Sequence, residues 1–304
     1  MSPRRLVFIA LQVALAGVVV AAVVAFAADG GDPAPPAADD GAAPAARNGP
    51  SAARFDARRA FADLRSQVEL GPRPAGSRAS RRLAERIRSR LPGGRFEPVP
   101  GGLRNVVGRL PGKRPAIVVA AHYDTKDLPG FVGANDGAGG TAAVLELARG
   151  LQRLRRPGSA PEIRFVLFDG EESPDDSKPF YSSGLRGSRS YAARHRDVRA
   201  VVLLDFVADK SLSLPREDGS DAALWARLRK AARRVGAGSA FPDQSVGEVV
   251  DDHTPFTRAG VPAIDLIDFT FPCWHRRCDD MSAVSAASLD LAGEAVFELV
   301  STWR

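Results

Sequence analysis

Along the first 53 residues the apolar and polar positions follow no helical or strand period. Leu6 to Ala28 is uncharged, with Gln12 as its one clearly polar side chain, and Met1 to Arg5 ahead of it carries two arginines. As a helix this stretch would reach about 34 Å, enough for a hydrocarbon core. It also ends in Ala25-Phe26-Ala27, an A-x-A pattern of signal cleavage. Residues 1–28 are therefore expected to be a signal anchor or a signal peptide. With the arginines on the cytoplasmic side, either one exports the rest of the chain. Residues 29–53 hold no large apolar side chain, so burial cannot offset their ordering entropy. They are expected to form a disordered Ala/Pro/Asp/Gly linker.

Periodicity begins at Phe55. Phe55 to Leu70 and Ala79 to Leu91 space their apolar residues at helical intervals, on either side of the breaker Gly71-Pro72-Arg73-Pro74-Ala75-Gly76. Asn105 to Leu110 is a short strand-like run, and Ala116 to Ala121 is a continuous apolar run of the kind a strand buried on both faces shows. The chain then alternates: helix Gly140 to Leu154, strand Ile163 to Phe168, helix Leu185 to Arg194, strand Ala200 to Leu204, helix Ala222 to Arg234, strand Ala263 to Ile267, and a closing helix Leu289 to Trp303. Strands alternating with helices argue for an α/β fold with a mainly parallel sheet covered on both faces. Residues 54–304 are expected to be one such domain. No internal repeat is found.

Composition adds little until the chain is divided. Across 304 residues, 44% are hydrophobic and 26% charged, which excludes global disorder, a collagen-like chain and a disulfide-dense scaffold. Lys and Arg number 42 against 36 Asp and Glu, a net charge of +6. The basic residues are scattered arginines, and aromatics that could stack on bases are few, so a solvated surface is expected and no nucleic-acid partner. The two cysteines, Cys273 and Cys278, fall in the exported part. There an even count at close spacing suggests one local disulfide, provided Trp274 to Arg277 makes a turn. Read with His275 they could instead form a zinc cluster, but no fourth ligand lies nearby.

The chemistry lies at the strand ends, where ligands bind in open α/β sheets. His122-Tyr123-Asp124 follows the first long strand and Asp169-Gly170-Glu171-Glu172 the next; Asp205 follows the third, and Trp274-His275 with Asp279-Asp280 the last. Gly133-Ala134-Asn135-Asp136-Gly137 precedes a helix, and Asp251-Asp252-His253 precedes the final strand. Of the 4 histidines, only His195 lies outside these loops; it is expected at the surface. Imidazole with carboxylate, no cysteine required, is the ligand set of a catalytic zinc site that keeps an open position. Adjacent side chains point apart, so one of Glu171 and Glu172 can bind metal while the other faces substrate as a proton carrier. H-E-x-x-H and G-x-S-x-G are both absent. Gly137 to Ala142 fits G-x-G-x-x-A, but it does not directly follow a strand, as a dinucleotide site requires.

HYDT (122 to 125), GANDGAGGTAAVLELA (133 to 148), FDGEE (168 to 172), LLD (203 to 205) and WH (274 to 275) resemble the M28 family of zinc peptidases, including its glutaminyl-peptide cyclotransferase branch; GPRPAGS (71 to 77) is similar to the family's N-terminal segment. The resemblance implies a three-layer α/β/α fold with a mixed sheet and one or two zinc ions. Asp136, Glu172 and His275 would be ligands and Glu171 the general acid/base. His122 and Asp205 would hold a second ion bridged by Asp136, with Asp124 orienting His122. DDHTPF (251 to 256), GVPAIDLI (260 to 267), FPCWH (271 to 275) and LLDF (203 to 206) resemble the cyclotransferase branch. On that resemblance Asp205 and Asp251 would join Glu171 in a hydrogen-bonded acidic network, with Trp274 walling the substrate site; His253 is either a substrate-pocket residue beside Trp274 or a cap of the turn that follows it. The expected activity is conversion of an N-terminal Gln to pyroglutamate by an exported, extracytoplasmic enzyme, held at the membrane if its first segment is uncleaved. The alternatives are a zinc aminopeptidase and an inactive binding ectodomain, though no ligand or acid/base position is lost.

Overall fold

The computed structural model describes residues 54–303. The expected signal or anchor segment and the linker lie outside the described residues. Among those described, no helix is long and apolar enough to cross a membrane.

Helices α1 (Ala57–Val68) and α2 (Arg78–Arg90) come first. Each starts at a polar cap: Asp56 accepts the Arg59 N–H at 3.0 Å and Ser77 accepts the Ser80 N–H at 3.1 Å, satisfying donors that have no partner within the helix. Strands β1 (Arg95–Val99), β2 (Leu103–Leu110) and β3 (Lys113–His122) follow, then α3 (Ala138–Gln152) and β4 (Pro161–Phe168). Next are a short α4 (Phe180–Ser183), α5 (Arg186–Arg194) and β5 (Val198–Leu204). The remainder holds β6 (Arg216–Glu217), α6 (Ala222–Arg234), a 3-10 turn at Gly238–Ala240, β7 (Ser245–Val246), α7 (Thr254–Thr257), β8 (Ala263–Leu266) and α8 (Ala286–Ser301).

Six strands form one sheet in the order β1-β2-β4-β3-β5-β8, and β6 pairs with β7 apart from it. Pairing is antiparallel from β1 to β4 and parallel from β4 through β3 and β5 to β8. The sheet is thus mixed, with its parallel half where the periodicity placed it. In β3, Ile117, Val119 and Ala121 face a core that α1, α2, α3, α6 and α8 complete, while Val118 and Ala120 face a second core with Tyr191 of α5 and Phe256 of α7. This is the two-sided burial that a continuous apolar strand requires.

The expected helices and strands are present. Boundaries moved where caps act: Ser285 accepts the Ser288 N–H at 3.1 Å and starts α8 ahead of its first large apolar residue. Strand β1 was not expected. It is a largely exposed edge strand, RFEPV, containing a proline, a pattern that edges tolerate and that carries little apolar signal.

Two buried glutamates fix the start of the described chain. Glu294 of α8 accepts the Phe55 N–H at 2.7 Å, and Glu146 of α3 accepts the Arg59 guanidinium at 2.7 Å. Helix α3 also lies very close to the sheet: a Cβ on Gly140 would stand 2.0 Å from the Leu204 carbonyl oxygen, a backbone atom that cannot swing aside. This closeness puts the N-terminal end of α3 at the strand ends.

Gly140→Ala is expected to destabilise the fold by roughly 1–3 kcal/mol through overpacking, lowering the thermal midpoint by about 2–4 °C for each kcal/mol. Calorimetry giving an unchanged midpoint would mean that α3 can back away from β5 without loss.

Candidate metal centre and cavity

The parallel register sets the ends of β4, β3, β5 and β8 side by side: His122 pairs with Phe168, Ala120 with Leu203, and Leu204 with Leu266. Whatever follows each strand is therefore delivered to one edge. His122 closes β3, Glu171 and Glu172 follow β4, Asp205 follows β5, and the segment after β8 brings Trp274, His275 and Asp279.

Two triads of possible metal ligands result: His122, Asp136 and Asp205, and Asp136, Glu172 and His275. Within each, one ligand atom per residue lies within 4.8 Å of the others. His122 Nε2 stands 3.2 Å from Asp136 Oδ1 and 3.4 Å from Asp205 Oδ1; His275 Nε2 stands 3.3 Å from Glu172 Oε1 and 3.5 Å from Asp136 Oδ2. Asp136 belongs to both, one oxygen towards each. Both ring nitrogens of His122, Asp136 Oδ2 and Glu172 Oε1 are buried without a hydrogen-bond partner. Such atoms are costly to leave unsatisfied, and a divalent cation taking nitrogen and oxygen ligands would satisfy them.

The loops bearing these ligands are held by carboxylates underneath. Asp124 accepts the N–H groups of Gly170 at 3.0 Å and of Glu171 and Glu172 at 3.2 Å. Its nearest approach to His122 Nδ1 is 3.7 Å, too long for a hydrogen bond, so its bonds hold the Glu171-Glu172 turn rather than the imidazole. Asp279 does the same for the other loop, accepting the N–H groups of Asn135 at 2.7 Å and Asp136 at 3.1 Å. Gly137 completes that turn with φ 85°, where a Cβ would sit 2.7 Å from the Asp124 carbonyl and 3.1 Å from His122 Cε1. Arg73, in the GPRPAGS segment, is fully buried and donates to the carbonyls of Gln67, Gly71, Val132 and Gly133. Burial pulls its guanidinium down to about 10, against the pull of Asp279, Asp136 and Asp124. The sequence marked the segment but not the role of Arg73, and Asp279 appeared only as half of a pair.

The site is strongly anionic. Burial raises Glu171 well above the usual carboxylate range, with Glu172, Asp251 and Asp252 adding to it and His122 opposing. Glu172 rises through burial and the charge on Asp136, against His275, and Asp205 rises through burial, against His122. Asp251 is pushed up to about 6 by burial and the charge on Asp205. Asp279 is pushed up to about 7, by burial and then by Asp136. For His122, burial lowers the value, but Asp124, Asp136 and Asp205 more than reverse this. For the carboxylates the leading cause of these rises is burial, to which neighbouring negative charge adds; for His122 the neighbouring carboxylates overcome burial.

Over this floor opens a cavity of about 740 Å³ that Glu171, Glu172, Asp136, Asp205, Asp251 and His275 help to line. Trp274, Phe269 and Phe206 form one wall, the first two 45% and 46% exposed. Trp274 stacks on His275 at 4.7 Å between ring centroids and lies 5.0 Å from Phe269. Lys126, also on the lining, stands 3.8 Å from Glu172 Oε2. His253 is not on the wall. It is buried behind Asp251, with Nε2 3.4 Å from Glu217 and Nδ1 3.7 Å from Asp265, because α7 turns its ring away from the opening. No hydrogen bond among the described residues joins Glu171 to Asp205 or Asp251; the charge on Asp251 acts on Glu171, and that on Asp205 acts on Asp251. His195 is remote from the site, half-buried, and bonded to Glu97 at 2.8 Å. Cys273 and Cys278 are joined in a disulfide around Trp274 and His275.

Asp279→Ala removes the acceptor under the Asp136 loop. It is expected to weaken divalent-metal binding by about ten- to a hundred-fold, measured by competition with a chromogenic chelator, with Asp279→Asn falling between. Parent-like affinity in Asp279→Ala would show that the loop holds itself.

The pattern that defines Peptidase family M28 matches residues 105–300. A glutaminyl-peptide cyclotransferase-like protein of Mus musculus is 31% identical over 208 residues, 58% of this chain and 54% of its own length. The chain spans between 54% and 63% of the length of the curated relatives it matches first. Among solved structures, the glutaminyl cyclase of an Acidobacteriales bacterium is 31% identical with a TM-score of 0.71, over 85% of this chain and 97% of that one. A Zn-dependent exopeptidase of Parabacteroides distasonis is 25% identical with a TM-score of 0.71, over 82% of this chain and 99% of the other. The strand-end triads, the mixed sheet that carries them and the span of the family match lead to one assignment: the chain belongs to peptidase family M28.

Proposed function

We propose that the chain is an exported zinc enzyme acting on peptide N-termini, and that its reaction is glutaminyl-peptide cyclisation. The observation that carries the reading is the meeting, in one cavity, of the Asp136-Glu172-His275 triad, the adjacent Glu171, and the aromatic wall of Phe206, Phe269 and Trp274. The names of the curated relatives support it, as does the all-nitrogen-and-oxygen donor set, which suits zinc. Export is supported by the apolar stretch at residues 6–28 and by the disulfide, a bond that persists in oxidising compartments.

Zinc held by Asp136, Glu172 and His275 would polarise the side-chain carbonyl of an N-terminal Gln. The chain's own residues do the rest. Asp205 and Asp251 line the cavity and would hold the substrate's α-amine, in its neutral form, as hydrogen-bond acceptors. Glu171, raised by burial, is poised to take a proton from that amine as its nitrogen attacks the amide carbon, then to pass the proton to the departing ammonia. The aromatic wall covers the flat face of the closing ring and excludes water, which would otherwise compete as a nucleophile.

One observation favours a second reading. The His122-Asp136-Asp205 triad shares Asp136 with the first, an arrangement suited to two ions and a water between them, as a zinc aminopeptidase needs.

The two readings separate in one assay. A Gln-initiated peptide should lose ammonia and keep its length, with one zinc per chain; release of the first residue from a Leu-initiated peptide, with two zincs, would establish hydrolysis instead. Glu171→Gln should lower kcat by about 10²- to 10⁴-fold in either case while leaving bound zinc unchanged. Turnover at the parent rate would remove Glu171 from the chemistry.

A further inference from the structure

The segment between β8 and α8, residues 267–285, presents Trp274, His275 and Asp279 without a helix or strand to carry them. Phe271 and Asp279 are buried, but nothing from Pro272 to Cys278 is. The other ligand loops are gripped from below by Asp124 and Asp279 through their backbone N–H groups. No carboxylate among the described residues accepts the His275 N–H in the same way. His275 nevertheless has φ 52°, in the left-handed region that a residue with a Cβ adopts only when its surroundings hold it there. What bends the segment is local. The Arg276 N–H reaches the Cys273 carbonyl at 2.9 Å, Arg277 Nε reaches the Pro129 carbonyl at 2.9 Å, and the Cys273–Cys278 disulfide ties Cα atoms 5.3 Å apart.

We propose that the Cys273–Cys278 disulfide is a positioning element for the active site: by closing residues 273–278 into a ring, it holds the His275 imidazole against Glu172 and Asp136 and the Trp274 indole against the cavity. The ring is placed for this. It brackets both side chains, and Trp274 stacks on His275 within it, so one covalent tie fixes a metal ligand and a wall together. Opening it frees the left-handed residue to relax, and the imidazole then moves off both carboxylates at once. Cys278 is exposed and Cys273 half-buried, so the bond is open to chemistry in the folded protein. The metal part of this proposal rests on the reading of His275 as a zinc ligand; the Trp274 part does not.

The test compares the full chain with Cys273→Ala/Cys278→Ala. A second arm uses the full chain reduced by a phosphine, which takes oxygen from water as the two sulfurs take up protons, and then alkylated so that no thiol can bind metal. Zinc affinity is read by chelator competition, and Trp274 by acrylamide quenching, because Trp225 and Trp303 are buried. Zinc binding is expected to weaken by about ten- to a hundred-fold, quenching to rise, and KM to rise together with a fall in kcat, while circular dichroism stays that of the parent. Unchanged zinc affinity and unchanged quenching in either arm overturn the proposal, and the alkylated arm decides if the double variant fails to fold. A parent chain that binds no zinc would defeat the metal reading alone; quenching then decides whether the disulfide positions Trp274.

Discussion

Buried negative charge is the constraint around which the rest of the structure is arranged. Asp124 and Asp279 lie fully inside the protein, and each is made tolerable by backbone N–H donors from a loop that has no other partner for them. The same bonds shape those loops so that a second layer of carboxylates, Asp136, Glu171 and Glu172, faces the cavity. Anion supports anion, and the outer layer is strained towards a cation. Arg73 supplies one positive charge from beneath, but its four carbonyl partners are also the means by which the N-terminal segment is tied to the Gly133 turn. Hydrogen bonding and electrostatics thus fix the site from opposite directions: the former sets where the carboxylates point, the latter what they will accept.

That division explains which parts were legible in the sequence. Helix α6 was readable to the residue because its apolar face, its Asp221 cap and the break after Arg234 are all local. The strand ends were readable because β3, β4, β5 and β8 are apolar runs that stop at a carboxylate or histidine, and parallel pairing carries those stops to one edge. Strand β1 was not, since an exposed edge strand containing Pro98 has no apolar alternation to notice. The bonds of Asp124 were also hidden. Spacing places it two residues from His122, but only the fold brings the Gly170 to Glu172 turn over it. His253 illustrates the reverse error. Its neighbours Asp251 and Asp252 made it look like a site residue, yet the turn into α7 points it at Glu217 and Asp265 in the interior.

The two sides of the cavity differ in how they are held. Most of the floor is a product of the sheet: His122 and Asp205 sit at strand ends, and Asp136, Glu171 and Glu172 on turns bonded to buried carboxylates, while His275 comes from the irregular segment after β8. The wall of Phe269 and Trp274 comes from irregular chain and is nearly half exposed. Floors of this kind are shared across a family because the sheet fixes them, whereas walls of this kind can vary with the substrate. The family assignment therefore rests on the floor. On the cyclisation reading, the wall's part is to cover the reacting amide and keep water from it.

The second triad need not contradict a one-zinc reaction. His122 is buried between Asp136 and Asp205, with one ring nitrogen directed at both carboxylates, and their field raises its affinity for a proton. An imidazolium there and a second divalent ion are two ways of answering the same charge, and they are mutually exclusive because a metal needs the nitrogen lone pair that the proton occupies. Were the second triad to hold an ion, Asp136 would serve as a ligand in both triads, and the metal would supply the activated water that the aminopeptidase reading requires. The carboxylates are the same in both states, so the two readings differ in whether the His122 nitrogen that faces Asp136 and Asp205 carries a proton or a metal ion.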